Sequence, residues 1–191
     1  MDEVVRSVEA YSAQADAYEA AYDSKYADIV ARFASSLPTP SLILDAGCGP
    51  GRDLARFAQH GHIARGLDLN PEFVAKASAH APTTLCDLRQ AAGRYPSGMF
   101  DAIWAAASLV HLSEAETVDV LSQFASLLRH QGKLFVSLKS SGVTGWLDEP
   151  DARRRYTVWR PEVLADAVTN AGFKIDEVIP GPYVEVWATR A

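Results

Sequence analysis

Two aspartates flank a run of three glycines in this chain, and that grouping sets its chemistry. Asp45 precedes Gly47, Gly49 and Gly51 within LILDAGCGPGRD (residues 42–53), and Asp68 follows 21 residues after Gly47. A strand that runs through a glycine loop into a helix is a binding turn for phosphates or nucleosides. The D-x-G-x-G-x-G spacing departs from the dinucleotide fingerprint, whose third glycine would fall at Arg52. A side chain there would obstruct close packing of helix on strand. Asp45 also places a negative charge where a pyrophosphate would sit, which favours a cationic or zwitterionic nucleoside as guest. S-adenosylmethionine (SAM), with its α-ammonium and sulfonium, has that charge pattern. Asp68 stands at the roughly 20-residue interval where an acidic residue meets ribose hydroxyls, and a carboxylate accepts both their hydrogens.

A second centre is His111, which follows a strand at Phe100–Trp104. That position is the crevice edge where ligands bind in open α/β sheets, and an imidazole suits proton transfer near neutrality. Plain packing ahead of the next helix is the competing reading. The run Arg153–Arg155 pairs with an acidic acceptor or forms a solvated charged face. Trp146 and Tyr156, with Trp159, wall an apolar substrate pocket or belong to the core. His60, His62, His80 and His130 lack metal-ligand spacing, as do Cys48 and Cys86, so no metal is expected. The two cysteines read as small buried thiols.

The elements that must position these residues follow from periodicity. Residues 1–36 read as helix broken near Ser12, with Tyr18, Tyr22, Tyr26, Ile29, Val30 and Phe33 on one stripe. Strands are expected at Leu42–Asp45, His62–Leu67, Thr83–Cys86, Phe100–Trp104 and Lys133–Lys139, and a terminal pair at Phe173–Ile179 and Val184–Thr189. Asn70-Pro71 opens a helix, and Ser113-x-x-Glu116 is a capping box for another, with Gly132 as its stop. Residues 140–160 are the least regular stretch.

The chain has 191 residues, of which 48% are hydrophobic and 22% charged, the composition of one soluble domain. Its net charge of −6 argues against a nucleic-acid partner. No apolar run reaches the roughly 20 residues of a membrane span. The opening MDEVVRSVEA lacks the layout of a signal peptide, so a cytoplasmic location is expected.

The glycine stretch resembles motif I of the class I SAM-dependent methyltransferases. The similarity continues in order through Gly66-Leu67-Asp68, Cys86-Asp87-Leu88, Phe100–Trp104 and Gly132–Lys139, over roughly residues 40–140. The resemblance implies a doubly wound, Rossmann-like α/β fold: a mostly parallel seven-stranded sheet with helices on both faces and the last strand antiparallel. It divides the single domain 1–191 into an N-terminal helical lid (1–36), a cofactor-binding core (40–140) and a substrate-side loop (140–160). Tyr11 and Tyr18 then belong to the lid over SAM, and Leu69 lies beside the ribose site. Asp87 accepts from the adenine amino group, and Leu88 packs on the ring.

The loop Ala105–His111 faces the transferring methyl, Ala105 towards the cofactor and Ser108 and His111 towards the acceptor. Trp146, Arg155 and Tyr156 complete the acceptor side. Ala105-Ala106-Ala107-Ser108 replaces the Asn/Asp-Pro-Pro-aromatic quartet of the nucleobase and protein-amide enzymes, which disfavours that class. The expected activity is methyl transfer from SAM to an oxygen or nitrogen of a small molecule, leaving S-adenosylhomocysteine (SAH), by a monomer or homodimer. A tellurite-resistance-type methyltransferase and a non-catalytic SAM-binding partner protein are the alternatives.

Overall fold

The computed structural model describes residues 2–12, 26–149 and 152–191. Its main sheet has seven strands: β1 (Leu42–Ala46), β2 (Ile63–Asp68), β3 (Thr83–Leu85), β4 (Phe100–Ala106), β5 (Leu128–Lys139), β8 (Phe173–Ile179) and β9 (Tyr183–Arg190). Their order is β3-β2-β1-β4-β5-β9-β8. The strands from β3 to β5 pair in parallel, and β9 inserts antiparallel between β5 and β8. A strand buried on both faces must be apolar throughout, and β1, with LILDA, and β4, with FDAIWAA, are nearly so.

Alternate residues of these strands feed two cores. Leu44, Ile103, Leu134, Val136 and Val186 pack on one face against helices α5 (Glu114–Leu127) and α6 (Pro161–Asn170). Ile43, Trp104, Phe135 and Trp187 face the other way, against α2 (Ala27–Ser35) and α3 (Arg52–Gln59). Trp104 stacks on Phe135 at 4.2 Å, with Phe57 edge-on and Phe33 tilted against it. Tyr26 meets Trp104 as a T at 6.4 Å. Tyr18 and Tyr22 lie outside the described residues.

Inside this second core sits a carboxylate. Asp53 is 4% exposed and accepts from Trp104 Nε1 at 3.0 Å, from Arg52 Nε at 2.9 Å and from Arg56 at 2.9 Å. The charge is tolerated because every oxygen is bonded. Asp53→Ala takes the acceptor from the buried indole donor and a carboxylate from both guanidinium groups, so a loss of about 3 kcal/mol is expected in the urea-unfolding free energy.

Caps fix the helices that border the cleft. Asn70 accepts from the backbone N–H of Glu72 and Phe73 to start α4 (Pro71–Ala77), and Ser113 and Glu116 form the expected box on α5. The end of α5 differs from the sequence reading. The helix stops at Leu127, β5 already begins at Leu128, and Gln131 takes the left-handed conformation at φ 62°. Gly132 is needed for close approach instead of for a helix stop, since a Cβ there would lie 2.9 Å from the Arg129 carbonyl.

The stretch 140–160, expected to be irregular, contains an antiparallel hairpin of β6 (Gly145–Asp148) and β7 (Arg153–Tyr156). Alternation on β7 buries Arg154 and Tyr156 and turns Arg153 to solvent, so the arginine run is a strand and not a uniformly solvated face. Helix α1 (Glu3–Glu9) lies along this hairpin, with Arg6 over the Trp146 ring at 4.8 Å.

Candidate active site

The carboxyl ends of β1, β2, β3 and β4 open onto a cleft of about 660 Å³, partly open to solvent. This is the crevice where ligands bind in doubly wound sheets. The glycine loop forms its floor. Gly47, Gly49 and Gly51 all have positive φ (79°, 55° and 95°), which lets the chain turn tightly from β1 into α3. Asp68, at the end of β2, holds the loop from the side: its carboxylate accepts from Gly49 N at 2.8 Å and from Asn70 N at 2.8 Å. Burial pushes its pKa up against these two bonds.

Beneath the loop, Asp45 is 3% exposed, and its Oδ2 has no hydrogen-bond partner among the described residues. Burial, followed by repulsion from Asp53, raises its pKa well above the usual carboxylate range. The floor therefore gathers carboxylates, and a cation above it would relieve the repulsion.

Asp87, two residues beyond β3, caps the 3₁₀ turn Leu88–Gly93, accepting from Arg89 N at 2.9 Å. Its two oxygens also take the Arg89 guanidinium, at 2.6 Å to Oδ2. Arg89 in turn reaches Asp2 at 2.8 Å and Glu116 at 2.8 Å, tying the start of α1 to the body of the protein. Further ties hold α1 over the cleft. Arg155 pairs with Glu3 at 3.0 Å, the Arg155 N–H donates to Ser7 Oγ at 3.0 Å, and Asn70 Nδ2 donates to the Val8 carbonyl at 3.2 Å.

His111 closes the far end, on a 3₁₀ turn at Leu109–His111 after β4. Its Nδ1 lies 2.6 Å from the Arg155 carbonyl, which can only accept, so Nδ1 carries the hydrogen. Nε2 is then a lone pair and accepts from the Tyr11 hydroxyl at 3.0 Å. The ring is 6% exposed, and burial lowers its pKa to about 4, with the Arg155 carbonyl opposing the shift. His111 is thus neutral at pH 7, and any rate rise from its titration lies well below neutrality.

Of the residues singled out by the sequence, Tyr11, Gly47, Gly49, Asp68, Leu69, Asp87, Leu88, Ser108 and His111 line the cleft together. Asp45 lies under the loop. Gly51 faces Ala77 and His80, and Ala105 is fully buried in the core. Neither is among the lining residues.

Arg155 and Tyr156 touch His111 from behind, and Trp146 packs by Arg6. These three line no part of the main cleft. Arg155 instead borders a neighbouring hollow of about 440 Å³, which His111 and Val4 share. Tyr18 lies outside the described residues. The sequence reading missed Val4, Val8, Phe73, Ala107 and Leu112 as lining residues. Val4 and Val8 were detectable as an i, i+4 apolar pair pointing the same way as Tyr11. Ala107 takes φ 52°, a left-handed turn held by its N–H to Ser137, and no residue type announced it. Among the described residues no group of three or more His, Cys, Asp or Glu side chains is placed to hold a metal ion, and no helix is long and apolar enough to cross a membrane.

Residues 43–132 match a family model described as a methyltransferase domain. The 18S rRNA (guanine-N(7))-methyltransferase bud23 of Schizosaccharomyces pombe is 26% identical over 147 residues, 75% of this chain and 52% of that protein. The trans-aconitate 2-methyltransferase of Streptomyces avermitilis is 43% identical over 61 residues, 31% of this chain and 23% of that protein. The chain thus spans about half the length of the first relative and about a quarter of the second. The 1,6-didemethyltoxoflavin-N1-methyltransferase of Burkholderia thailandensis, crystallised with 1,6-didemethyltoxoflavin and SAH, superposes with a TM-score of 0.76 at 24% identity. That match covers 98% of this chain and 88% of the other. Residues 43–132 thus match a methyltransferase domain, on a sheet ordered β3-β2-β1-β4-β5-β9-β8 whose fold is that of the solved methyltransferase.

Proposed function

We propose that this protein transfers the methyl group of SAM to an oxygen or nitrogen of a small molecule. One observation carries the cofactor reading: the carboxylates of Asp45 and Asp68 are buried around a left-handed glycine loop, and Asp45 Oδ2 lacks a partner among the described residues. Such a floor repels a pyrophosphate and suits a ligand bearing an ammonium and a sulfonium. The residues present fit that group. Asp45, Gly47, Gly49, Asp68, Leu69, Asp87 and Leu88 would hold it, with Asp68 offering its remaining lone pairs to the ribose hydroxyls. Ser108 and His111 stand at the acceptor end, where the Ser108 hydroxyl is buried without a partner among the described residues.

The small-molecule reading draws on the toxoflavin and trans-aconitate relatives and on the net charge of −6, which disfavours a polyanion. The rRNA enzyme among the relatives marks the competing acceptor class.

Calorimetry with SAM, SAH and NAD on the purified protein, followed by SAH release with candidate acceptors, tests the reading. Binding of SAM and SAH but not NAD is expected, and tight NAD binding without a response to SAM sinks it. Asp68→Ala should weaken SAM binding by about 1–3 kcal/mol, the range for losing a hydrogen-bond partner of this kind. Asp87→Ala should cost less, because both Asp87 oxygens already serve Arg89. A folded Asp68→Ala protein that binds SAM like the parent removes the ribose assignment.

A further inference from the structure

Resting on the methyltransferase reading, we infer that Tyr11, and not His111, is the group that meets the acceptor's proton, with His111 behind it as the proton store. Both imidazole nitrogens are spoken for: Nδ1–H donates to the Arg155 carbonyl, and Nε2 accepts from the Tyr11 hydroxyl. The ring lines the cleft as well, but it is 6% exposed and its Nε2 lone pair is covered by the Tyr11 hydroxyl, which also lines the cleft. An acceptor therefore meets the Nε2 lone pair through the Tyr11 oxygen, which has two lone pairs besides its hydrogen.

The ring of Tyr11 is clamped. The Arg154 guanidinium lies over one face at 4.0 Å, Phe73 tilts against it at 5.9 Å, and the hydroxyl is also within hydrogen-bond reach of Tyr156. Tyr156 donates its own hydrogen to Glu149 at 3.0 Å, which leaves the Tyr11 hydrogen to His111.

The step balances for a hydroxyl acceptor. As the acceptor oxygen's lone pair forms the C–O bond and the C–S pair stays on sulfur, the O–H proton passes to the Tyr11 oxygen. The former Tyr11 proton passes to His111 Nε2. The positive charge lost at sulfur reappears on the imidazolium, whose Nδ1–H keeps its bond to Arg155. A methylated hydroxyl that still carries its proton is a strong acid, so even a weakly basic imidazole takes it. The charged and titratable groups around the ring are Tyr11, Arg154, Arg155, Tyr156 and Glu149, with Asp2, Glu3, Arg89 and Glu116 across the neighbouring hollow and Asp68 and Asp87 across the cleft. Burial among them favours the neutral ring, which returns the proton to solvent after each turnover. A carboxylate acceptor arrives without a proton and has no use for this path.

Nitrogen-15 NMR of histidine-labelled protein, with and without SAH, reads the arrangement directly, and His111→Gln assigns the signal. At pH 7 the His111 Nδ1 should be protonated, and Nε2 a hydrogen-bonded lone pair. Tyr11→Phe should move the Nε2 signal to that of an unbonded nitrogen and leave SAH affinity within about twofold. An Nε2–H tautomer, or an Nε2 signal indifferent to Tyr11→Phe, overturns the inference. Failure of SAH to bind the parent overturns the methyltransferase reading instead, and the ligand-free spectra still decide the relay. Where SAH release is obtained, small phenols should lose about 100-fold in kcat in Tyr11→Phe at unchanged KM, while small carboxylic acids lose less than threefold. Equal losses in both classes would make Tyr11 a mere spacer and sink the relay.

Discussion

Alanine at Gly51 is expected to cost about 2–5 kcal/mol of stability, while alanine at Gly49 costs about 1–2 kcal/mol and abolishes cofactor binding. Both glycines sit in left-handed backbone, so each substitution carries the conformational penalty of an L side chain there. They differ in what the new methyl meets. At Gly51 it would lie 2.7 Å from Ala77 Cα and 3.0 Å from Ala77 Cβ and the His80 ring. Ala77 is fully buried on α4, and its backbone cannot retreat without moving that helix off the sheet. At Gly49 nothing of the protein lies within 4 Å, so the methyl enters cleft space proposed for the nucleoside. Urea midpoints read beside SAH calorimetry separate the two: Gly51→Ala loses stability first, Gly49→Ala loses binding in a folded protein. Equal losses of stability would mean that the loop is not held against α4 as the structure places it. Gly47→Ala is a third case, since its methyl would lie 2.3 Å from Ser108 Cβ and push the acceptor-side loop away.

Most of this contrast lies beyond the sequence, although the loop itself does not. The strand–glycine–helix pattern, the acidic residues at strand ends, the caps at Asn70 and Ser113 and the apolar strands all have local causes, so the sheet and the glycine-loop end of the cleft were legible. The His111 end depends on contacts between distant segments. The bond between Tyr11 and His111 joins residues 100 positions apart, and that between Ser7 and Arg155 joins residues 148 apart. Neither leaves a periodic trace.

Arg153–Arg155 illustrates the difficulty. Three like charges in a row suggest a solvated face, yet the period of two that a strand imposes puts Arg154 in the interior beside Glu149, at 2.5 Å. Its neighbour Arg155 serves chiefly through its main chain, as the carbonyl that sets the His111 tautomer. Ala105 shows the reverse case. The sequence reads it as part of a loop facing the methyl group, but strand pairing with Val136 turns its side chain into the core, and the cleft is lined two and three residues later by Ala107 and Ser108.

His111 should make the protein lose stability in mild acid, and the size of that loss reports whether the imidazole is buried neutral. Its pKa is about 4 in the folded chain against 6.5 for a free side chain. The unfolded chain therefore takes up a proton first as the pH falls. The contribution is fully present above pH 6.5, declines between 6.5 and 4, and declines no further below, amounting to about 3 kcal/mol in all. Other groups titrate nearby and in both directions. Asp2 and Glu116, whose pKa values are lowered, also weaken the fold as they protonate, whereas Asp45 and Asp68, whose values are raised by burial, favour it in acid.

A single pH profile cannot apportion these, but His111→Gln removes one group and keeps the rest. Glutamine can still donate to the Arg155 carbonyl and accept from Tyr11, so the variant is expected to fold and to be less stable than the parent at pH 7 by about 1–2 kcal/mol of imperfect packing and bonding. Unfolding free energies of both proteins, measured from pH 7 to pH 4, should converge and then cross, the parent losing about 3 kcal/mol relative to the variant over that range. A constant difference would mean that His111 titrates alike in the folded and unfolded chains. Its Nε2 would then be open to water and not bonded by Tyr11, and base catalysis by a solvent-accessible His111 near neutral pH would return as the better account of the acceptor end.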